Sequence, residues 1–292
     1  MKIPKRIGFI GLGMMGAPMV QCLVNSGFEL FVYDIDSART KEVTSQTGAK
    51  RLQKDNAASL DVLVTMLPNS AIVENALLGS NADGWANELA KGAVVIDMSS
   101  SEPGRSRNLG EDIEKRGLAY LDAPVSGGLK KAREGTLAIL VGGREEVLAQ
   151  CKPVLEAMGS SILHIGAAGS GHAAKALNNY VVSAGIIAIV EALHVARRFG
   201  IEPNVMTDVL NASSGRSATT ENRVKQFMLT GTAAGFALQL MNKDMKAAHA
   251  LAQHVGVPMT MGTVCAAMWD AAAKLSTPAT DYTEMYRLLD VQ

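Results

Sequence analysis

The sequence is poor in the residues that mark several classes of protein. Its 292 residues include only three cysteines, Cys22, Cys151 and Cys265, far apart and without a C-x-x-C pair, which excludes a disulfide framework and a cysteine zinc site. Charged residues make up 19%, and 28 Lys and Arg balance 28 Asp and Glu, so no net charge favours nucleic acid or an anionic membrane. The five histidines do not cluster, which argues against a metal site or a Ser-His-Asp triad. We expect a cytoplasmic protein that binds neither nucleic acid nor membrane.

The first half of the chain repeats a short apolar run, a break rich in Gly, Pro, Asn and Ser, and a helical pattern of ten or more residues. The runs lack clean alternation, as expected of strands that helices cover on both faces of a parallel sheet. We therefore predict an α/β Rossmann-type doubly wound parallel sheet in residues 1–166. The predicted strands are Ile7 to Ile10, Leu30 to Tyr33, Val62 to Met66, Val94 to Ile96, Ala119 to Leu121, Ala138 to Val141 and Ile162 to Ile165.

Residues 167–292 carry no convincing strand and are predicted to form an all-α domain built on one long helix, His172 to Phe199, which Gly200 and Pro203 end. The middle of this helix is apolar nearly all the way round, so it must be covered on most sides. This feature predicts a homo-oligomer, a dimer or a tetramer. Further helices are predicted at Asn204 to Ala212, Leu238 to Val255, Met261 to Lys274 and Tyr282 to Leu289.

A glycine-rich motif follows the first predicted strand and opens a helix. In such a motif the first glycine makes the tight turn, the second lets the backbone approach a pyrophosphate, and the third lets the helix pack closely on the strand. The phosphates would lie at the helix N-terminus, where free N–H groups favour anions. We therefore predict dinucleotide contacts at Gly11, Leu12, Gly13, Met14, Met15 and Gly16, with Met14 and Met15 serving as packing residues.

Asp34 closes the second predicted strand at the offset expected for a residue that binds the adenosine ribose. Its carboxylate would accept hydrogen bonds from the ribose hydroxyls and repel a 2′-phosphate, so NAD is favoured over NADP. Arg39 lies near enough in sequence to pair with such a phosphate. The alternative interpretation is a plain tight turn, with Asp34 capping the next helix.

Three further segments occur at the ends of later strands and along the helical half. Together with the opening Gly-Phe-Ile-Gly-Leu-Gly-Met-Met-Gly, they resemble the β-hydroxyacid dehydrogenase family, which includes 3-hydroxyisobutyrate dehydrogenase, 2-(hydroxymethyl)glutarate dehydrogenase and tartronate semialdehyde reductase. The resemblance covers essentially the whole chain in order. The segments are Asp122-Ala-Pro-Val-Ser-Gly-Gly128, Gly169-Ser-Gly-His-Ala-Ala-Lys-Ala-Leu-Asn-Asn179 and Phe236-Ala-Leu-Gln-Leu-Met-Asn-Lys-Asp244.

The resemblance implies reversible hydride transfer between a nicotinamide and the hydroxyl-bearing carbon of a small 3-hydroxyacid. It implies that Lys175 acts as general acid and base, that Asn179 orients the substrate, and that Ser126, Gly127 and Gly128 hold the substrate carboxylate. It also implies cofactor contacts at Met66, Leu67, Pro68, Ser100, Phe236 and Lys243.

On the residues alone, Lys175 and Asn179 lie four residues apart on one helix and so share a face. A helical lysine is usually solvated, but this helix turns apolar within a turn, and partial burial lowers the pKa of a lysine towards the range of a general base. Lys243 and Asp244 would otherwise pass as a surface charge pair. His172, within a turn of Lys175, could touch the site, but a structural or solvent-facing role is favoured.

The roles of two basic positions, and two alternative functions for the whole chain, stay open. Lys131 occupies a position that is commonly small in the family, and Lys130 or Lys131 could favour substrates with a second acidic group, although a solvated pair on a loop is the favoured interpretation. Arg216 could line the cleft or belong to a helix-capping turn. An imine reductase would share the architecture but has Asp or Tyr in place of the lysine. A non-catalytic NAD-binding sensor would need the glycine loop without Lys175 and Asn179.

Overall fold

The first half of the chain alternates strands and helices in the computed structural model, which describes residues 4–81 and 83–290. The strands are β1 (Arg6–Ile10), β2 (Glu29–Tyr33), β3 (Lys50–Arg51), β4 (Val62–Thr65), β5 (Val94–Asp97), β6 (Ala119–Asp122), β7 (Val125–Ser126), β8 (Leu137–Gly143) and β9 (Gly159–Gly166). The helices between them are α1 (Gly16–Asn25), α2 (Ser37–Thr47), α3 (Lys54–Ala57), α4 (Ser70–Leu78), α5 (Pro103–Glu114), α6 (Gly128–Glu134) and α7 (Glu145–Glu156), with a 3₁₀ turn at Trp85–Glu88. All the predicted strands are present, within a few residues at their ends.

The strands form one sheet in the order β3-β2-β1-β4-β5-β6-β8-β7, with β9 paired to β8. The first six strands pair in parallel, as predicted. β8 runs antiparallel to β6 and β7, which the sequence pattern did not reveal, and β9 is parallel to β8. The order reverses between β1 and β4, and in open α/β sheets ligands bind beyond the carboxyl ends of the strands at such a point. The predicted fold class, a Rossmann-type sheet followed by a helical domain, is confirmed.

The central strands are buried on both faces, which explains why their sequences are continuously apolar. In β4, for example, Val62 and Val64 point into one core and Leu63 into the core on the opposite face. Successive side chains of a strand alternate between faces, so a strand with two covered faces needs apolar residues at every position.

The helical half consists of α8 (Ser170–Phe199), α9 (Pro203–Ala212), α10 (Leu238–His254), α11 (Thr260–Leu275) and α12 (Met285–Leu288), with a π-helix at Thr220–Met228 and a 3₁₀ turn at Tyr282–Glu284. The sequence predicted four of these helices within a few residues. The helix predicted over Tyr282 to Leu289 is present at residues 282–288, but its first turn is 3₁₀ and only Met285–Leu288 is α-helical. Asp281 caps the start of this segment, since its side chain accepts the N–H of Thr283.

The chain divides into two compact units, Met1–Lys175 and Ala176–Gln292, each with its own hydrophobic core. The domain boundary predicted at residue 166 coincides with the end of β9 and stays a prediction. Helix α8 begins in the first unit and forms the spine of the second, where Ile186, Val190 and Leu193 enter the core. The helix is long and apolar enough to cross a membrane by length and composition alone. The core helices of soluble proteins also meet this criterion.

Candidate active site

The glycine-rich loop between β1 and α1 is shaped by close contacts that only glycine allows. A Cβ on Gly11, whose φ is +99°, would lie 2.2 Å from the Met66 carbonyl oxygen. A Cβ on Gly16 would lie 1.9 Å from the Gly11 carbonyl oxygen, so the helix starts directly against the turn. Gly13 is different, because it is exposed and a Cβ there would meet no atom within 4 Å. Because Gly13 has no side chain, the backbone of the loop is accessible from solvent, as the close approach of a pyrophosphate requires.

Helix α1 begins at the end of this loop without a side-chain cap. In its first turn the Ala17 N–H donates to the Gly13 carbonyl oxygen and Pro18 has no N–H, so it is the Gly16 N–H at the helix start that faces an approaching anion. Leu12 is fully buried, and Met15 packs against the core of the first unit. Met14 is 69% exposed, so the packing role predicted for Met14 was wrong. The loop fits the phosphates of a dinucleotide, with Gly13 and the start of α1 as the surfaces they would meet.

Asp34 and Arg39 both hold the Leu12 peptide of the loop. The Asp34 Oδ2 accepts the Leu12 N–H at 2.7 Å and its Oδ1 accepts the Asp36 N–H at 2.9 Å. The Arg39 Nε donates to the Leu12 carbonyl oxygen at 2.7 Å, and its other end pairs with Glu42 at 2.6 Å. It is Asp36, rather than Asp34, that caps α2, by accepting the Ala38 N–H. Asp34 therefore has no capping role, and its half-buried carboxylate lies beside the glycine turn.

Four predicted cofactor residues follow strands β4 and β5. β4 pairs with β1 and β5 with β4, all in parallel, so their carboxyl ends lie at the same edge of the sheet. The four residues are Met66, Leu67, Pro68 and Ser100. The Met66 N–H donates to the Ile10 carbonyl oxygen at 2.9 Å, and the Leu67 N–H to the Ser99 Oγ at 2.9 Å. The structure thus brings these predicted cofactor residues and the glycine loop to the same edge of the sheet.

Ser126, Gly127 and Gly128 connect β7 to α6 in a conformation that glycine favours. The φ angles are +138° at Gly127 and +70° at Gly128, and both glycines are exposed. Among the described residues, neither N–H donates a hydrogen bond to another group. Two successive free N–H groups form a concave donor surface that can hold a carboxylate.

The side chain of Lys131 lies across this loop. A Cβ built on Gly127 would lie 2.6 Å from its Cδ and 2.9 Å from its Cβ. The ammonium nitrogen is only two bonds beyond Cδ, so it lies within about 5 Å of the Gly127 position. Within the part of the chain that the structure describes, no carboxylate forms an ion pair with Lys131. The loop therefore carries an unneutralised positive charge beside its two free N–H groups.

Asp122, the last residue of β6, anchors the start of α8. Its Oδ1 accepts the Gly169 N–H at 2.7 Å and its Oδ2 accepts the His172 N–H at 2.8 Å, in a fully buried position. A carboxylate at a helix N-terminus satisfies N–H groups that have no partner within the helix and interacts favourably with the helix dipole. This anchor fixes the first turn of α8, one turn before the half-buried Lys175.

His172 belongs to the same buried network. Its Nδ1 lies 2.8 Å from the Ser106 Oγ and its Nε2 3.0 Å from the Ser99 carbonyl oxygen, and the residue is 1% exposed. Asp97 accepts hydrogen bonds from Thr65 and other nearby hydroxyl and N–H groups. The role of His172 is therefore structural, one of the two roles that the sequence favoured. The sequence reasoning missed Asp97 and Asp122 as network residues; the signal was a carboxylate closing an otherwise apolar strand.

In the second unit, Asn179 is 6% exposed and donates from Nδ2 to the Asp244 Oδ2 at 2.6 Å. Its Oδ1 accepts from the Asn178 Nδ2 at 3.1 Å. Asp244 is 4% exposed, so the interpretation of Lys243 and Asp244 as a surface pair is wrong for Asp244. Asp244 instead fixes the orientation of the Asn179 amide, and the half-buried Lys243 precedes it in α10.

Phe236 lies just before α10 in the second unit. Its N–H donates to the Asp281 Oδ2 at 2.9 Å, and its ring meets that of Tyr282 edge to face. Burial of the Asp281 carboxyl raises its pKa, but the hydrogen bonds from N–H and hydroxyl groups together outweigh this effect and hold the pKa below its usual value. Asp281 thus ties the segment before α10 to the end of the chain.

The cysteines are buried and free, and burial raises the pKa of Cys151 to about 12. In residues 4–81 and 83–290, no group of three or more His, Cys, Asp or Glu side chains could hold a metal ion. In the first unit, the glycine loop suits the phosphates of a nucleotide and the Gly127–Gly128 turn suits a carboxylate, while along α8 the amine of Lys175 precedes the amide of Asn179 by four residues.

Comparison with known proteins defines the class. Residues 6–166 match the family model for the NAD binding domain of 6-phosphogluconate dehydrogenase, and residues 169–289 match that for the NAD-binding domain of NADP-dependent 3-hydroxyisobutyrate dehydrogenase. The protein is thus an NAD(P)-dependent dehydrogenase with a Rossmann domain and a helical domain.

Individual relatives narrow this class to a family. The chain is 34% identical to 2-(hydroxymethyl)glutarate dehydrogenase of Eubacterium barkeri over 97% of this chain and 94% of that one, and 34% identical to mitochondrial 3-hydroxyisobutyrate dehydrogenase of Rattus norvegicus over 97% and 86%. A structure of Mycobacterium tuberculosis 3-hydroxyisobutyrate dehydrogenase with L-serine matches with a TM-score of 0.89 at 30% identity, covering 98% of this chain and 99% of that one. The chain belongs to the β-hydroxyacid dehydrogenase family and is an NAD(P)-dependent 3-hydroxyacid dehydrogenase.

An imine reductase from Myxococcus stipitatus matches less well, with a TM-score of 0.67 at 20% identity over 99% of this chain and 100% of that one. This likeness shows the shared fold alone.

Proposed function

We propose that the protein interconverts a small 3-hydroxyacid and its oxo form with Lys175 as the general acid and base. The observation that carries this proposal is the placement of Lys175, half-buried in a helix whose first turn Asp122 anchors, four residues before an asparagine that Asp244 holds. The bound nicotinamide supplies the hydride acceptor or donor, which protein side chains lack.

Lys175 performs the proton transfer in both directions. In oxidation its Nζ accepts the proton of the substrate hydroxyl, directly or through a water molecule. In reduction the same ammonium donates that proton and stabilises the negative charge that develops on the oxygen. Asn179 orients the reacting hydroxyl and the lysine. Its Nδ2 donates to Asp244 and its Oδ1 accepts from Asn178, so the amide group has a fixed orientation, and each atom keeps one further hydrogen-bonding position.

The substrate carboxylate binds at Ser126, Gly127 and Gly128. The two free N–H groups and the serine hydroxyl supply three donors on one loop, and the absent Cβ atoms let the anion approach the backbone. The compounds for which the relatives are named support such a substrate, because 3-hydroxyisobutyrate, 2-(hydroxymethyl)glutarate and L-serine all contain a carboxylate.

The cofactor is NAD in preference to NADP. The Asp34 carboxylate beside the glycine turn favours ribose hydroxyls and repels a 2′-phosphate. Arg39 is the cation nearest in sequence that could bind this phosphate, but two sides of its guanidinium already engage the Leu12 carbonyl oxygen and Glu42.

Within the 3-hydroxyacids, we propose that Lys131 favours substrates with a second carboxylate. Its unpaired ammonium within about 5 Å of Gly127 gives the carboxylate loop a second anion-binding group. Lys131→Ala is expected to lower kcat/KM about 5- to 10-fold for dicarboxylic substrates and less than twofold for monocarboxylic ones. The neighbouring Lys130→Ala serves as the matched control. Equal effects on both substrate groups would end this part of the proposal.

The protein acts as a homo-oligomer in the cytoplasm, without nucleic acid or membrane partners. The balanced charge and the three free, buried thiols support this part of the proposal. The exposed apolar face of α8 supports the homo-oligomer.

The test is a screen of 3-hydroxyacids with NAD and with NADP, followed by absorbance at 340 nm. We expect reduction of NAD with at least one acid, a preference for NAD, and loss of turnover in Lys175→Ala but not in the control Lys152→Ala, which changes an exposed lysine of α7. Cofactor binding without turnover of any acid would refute the enzymatic proposal and favour an NAD-binding sensor. Turnover of cyclic imines alone would favour an imine reductase.

A further inference from the structure

One buried serine in the first unit is hydrogen-bonded through its amide, its hydroxyl and its carbonyl group. The Ser99 N–H donates to the Asp97 Oδ1 at 3.1 Å, and the Ser99 Oγ accepts the Leu67 N–H at 2.9 Å. The Ser99 carbonyl oxygen lies 3.0 Å from the His172 Nε2, and the residue is 1% exposed. We call Ser99 and these three partners the Ser99 junction. Every polar group of this buried residue therefore has a partner, as burial requires.

The three partners belong to three segments that carry predicted site residues. Leu67, itself a predicted cofactor contact, follows β4. Asp97 is the last residue of β5, and the segment after this strand includes the predicted cofactor contact Ser100. His172 lies near the start of α8, three residues before Lys175. The junction thus connects two segments with predicted cofactor contacts to the helix that carries the proposed acid and base.

The hydrogen bond between His172 and Ser99 can have only one direction. A carbonyl oxygen accepts but cannot donate, so the His172 Nε2 carries a proton and donates it to this bond. The other ring nitrogen, Nδ1, lies 2.8 Å from the Ser106 Oγ of α5, and the His172 N–H donates to the Asp122 Oδ2 at 2.8 Å. The residue is therefore held at both ring nitrogens and at its backbone. It links the Ser99 carbonyl group to the start of α8.

The start of α8 does not need the imidazole ring for its cap. The Asp122 carboxylate accepts the N–H groups of Gly169 and His172, and both of these donors belong to the backbone. The imidazole ring instead reaches the segment after β5, where it meets the Ser99 carbonyl oxygen. This bond is additional to the cap, and its separate effect is to fix the helix relative to that segment.

We propose that His172 and Ser99 are positioning residues, whose hydrogen bond sets the place of Lys175 relative to the segments after β4 and β5. His172 and Lys175 lie three residues apart, about 4.5 Å along the axis of α8, so a shift of the helix start moves both. Hydride transfer requires reacting atoms about 3 to 3.5 Å apart, and a misplacement of about 1 Å can cost about 10²-fold in rate. The proposal rests on the proposed role of Lys175.

Two amide substitutions at residue 172 separate the two hydrogen bonds of the ring. In His172→Gln, the side-chain nitrogen can take the place of Nε2 and still donate to the Ser99 carbonyl oxygen. In His172→Asn, the shorter amide reaches only the place of Nδ1, so it keeps the contact with Ser106 and loses the bond to Ser99. Both variants bury the same polar group at the same position. They form a matched pair that differs in the bond to Ser99.

The two variants should differ in turnover and agree in cofactor binding. We expect His172→Asn to lower kcat and kcat/KM for the hydroxyacid equally, by about 10²-fold, because the loss acts on the reacting geometry. His172→Gln should keep kcat within about threefold of wild type. The Kd for NADH should stay close to the wild-type value in both, because the glycine loop is untouched. Circular dichroism should show that both variants are folded, with similar unfolding midpoints.

Hydrogen–deuterium exchange measured by mass spectrometry tests the junction without turnover. Ser99→Ala removes the acceptor of the Leu67 N–H, so deuterium uptake of residues 66–70 should rise. Ser101→Ala is the matched control, because the hydroxyl of Ser101 donates to Asp97 instead. This control should leave the uptake of residues 66–70 at the wild-type level.

The same exchange measurement compares the two variants at residue 172. His172→Asn should raise the uptake of residues 98–102, and His172→Gln should not. The proposal is overturned if both variants lose kcat equally, if His172→Asn keeps the kcat of wild type, or if both give the same uptake of residues 98–102. Greater uptake in His172→Asn alone supports the junction even where no acid is turned over. Failure of the proposed chemistry, which Lys175→Ala tests, therefore remains distinguishable.

Discussion

The substitution Asp122→Asn tests how α8 is anchored. Asp122 is fully buried, and each of its oxygens accepts one N–H, from Gly169 at 2.7 Å and from His172 at 2.8 Å. Asparagine keeps one acceptor but places an NH₂ group against the other N–H. The variant loses one hydrogen bond to a charged group, about 1.5 to 3 kcal/mol, and leaves a buried donor without a partner, which costs about 1 to 3 kcal/mol more. We expect a loss of about 3 to 5 kcal/mol.

Thermal unfolding monitored by circular dichroism measures this loss. At about 2 to 4 °C per kcal/mol for a unit of this size, the midpoint should fall by about 10 °C. The value of kcat/KM should fall as well, because the first turn of α8 positions Lys175. The control Asp112→Asn changes an exposed carboxylate paired with Lys115 and should shift the midpoint by less than 2 °C. Equal shifts in the two variants would refute the assignment of Asp122 as the anchor.

Three further predictions follow from the first unit. Asp34→Ser should raise the ratio of kcat/KM for NADP to that for NAD by about 10- to 150-fold, the value of one charged hydrogen bond, and a change below threefold would contradict the role of Asp34. Gly127→Ala should lower kcat/KM for the hydroxyacid at least 10-fold, because φ is +138° and the new Cβ meets the Lys131 side chain at 2.6 Å. Gly104→Ala is the control, because a Cβ at Gly104 would meet no atom within 4 Å. Equal effects of the two substitutions would contradict the role of the Ser126–Gly128 loop in binding the carboxylate. Cys151, whose pKa is about 12, should react with a thiol reagent at pH 8 only after unfolding, and rapid labelling of the native protein would disprove its burial.

The sequence predicted the strands of the sheet well because burial on both faces requires an uninterrupted apolar run. It did not reveal that β8 runs antiparallel, since an apolar run has the same composition in either direction. The two-residue strands β3 and β7 are too short to carry a pattern. The π-helix Thr220–Met228 was missed because its segment is mostly polar and the i to i+5 hydrogen-bond pattern has no compositional signature.

The sequence predicted those parts of the candidate site whose residues lie close together in the chain and form a recognisable motif. The glycine loop, Asp34 and the serine-glycine-glycine turn are contiguous or nearly so, and the structure gives them the geometry described above. The supporting residues were not predictable in the same way. Asp122 and His172 are 50 residues apart, and Asn179 and Asp244 are 65 residues apart, so only the fold brings each pair together. The exposed Met14 shows the converse limit, because an apolar residue in a loop is not thereby a packing residue.

The measurement that tests the central claim most directly is amine rescue of Lys175→Ala. The variant should bind NADH with the wild-type Kd, because the glycine loop is untouched, and should lose about 10²- to 10⁴-fold in kcat/KM for the hydroxyacid. Added methylamine should restore part of this activity in proportion to its concentration of free base. Turnover within tenfold of wild type, without any response to the amine, would show that position 175 does not carry the proton.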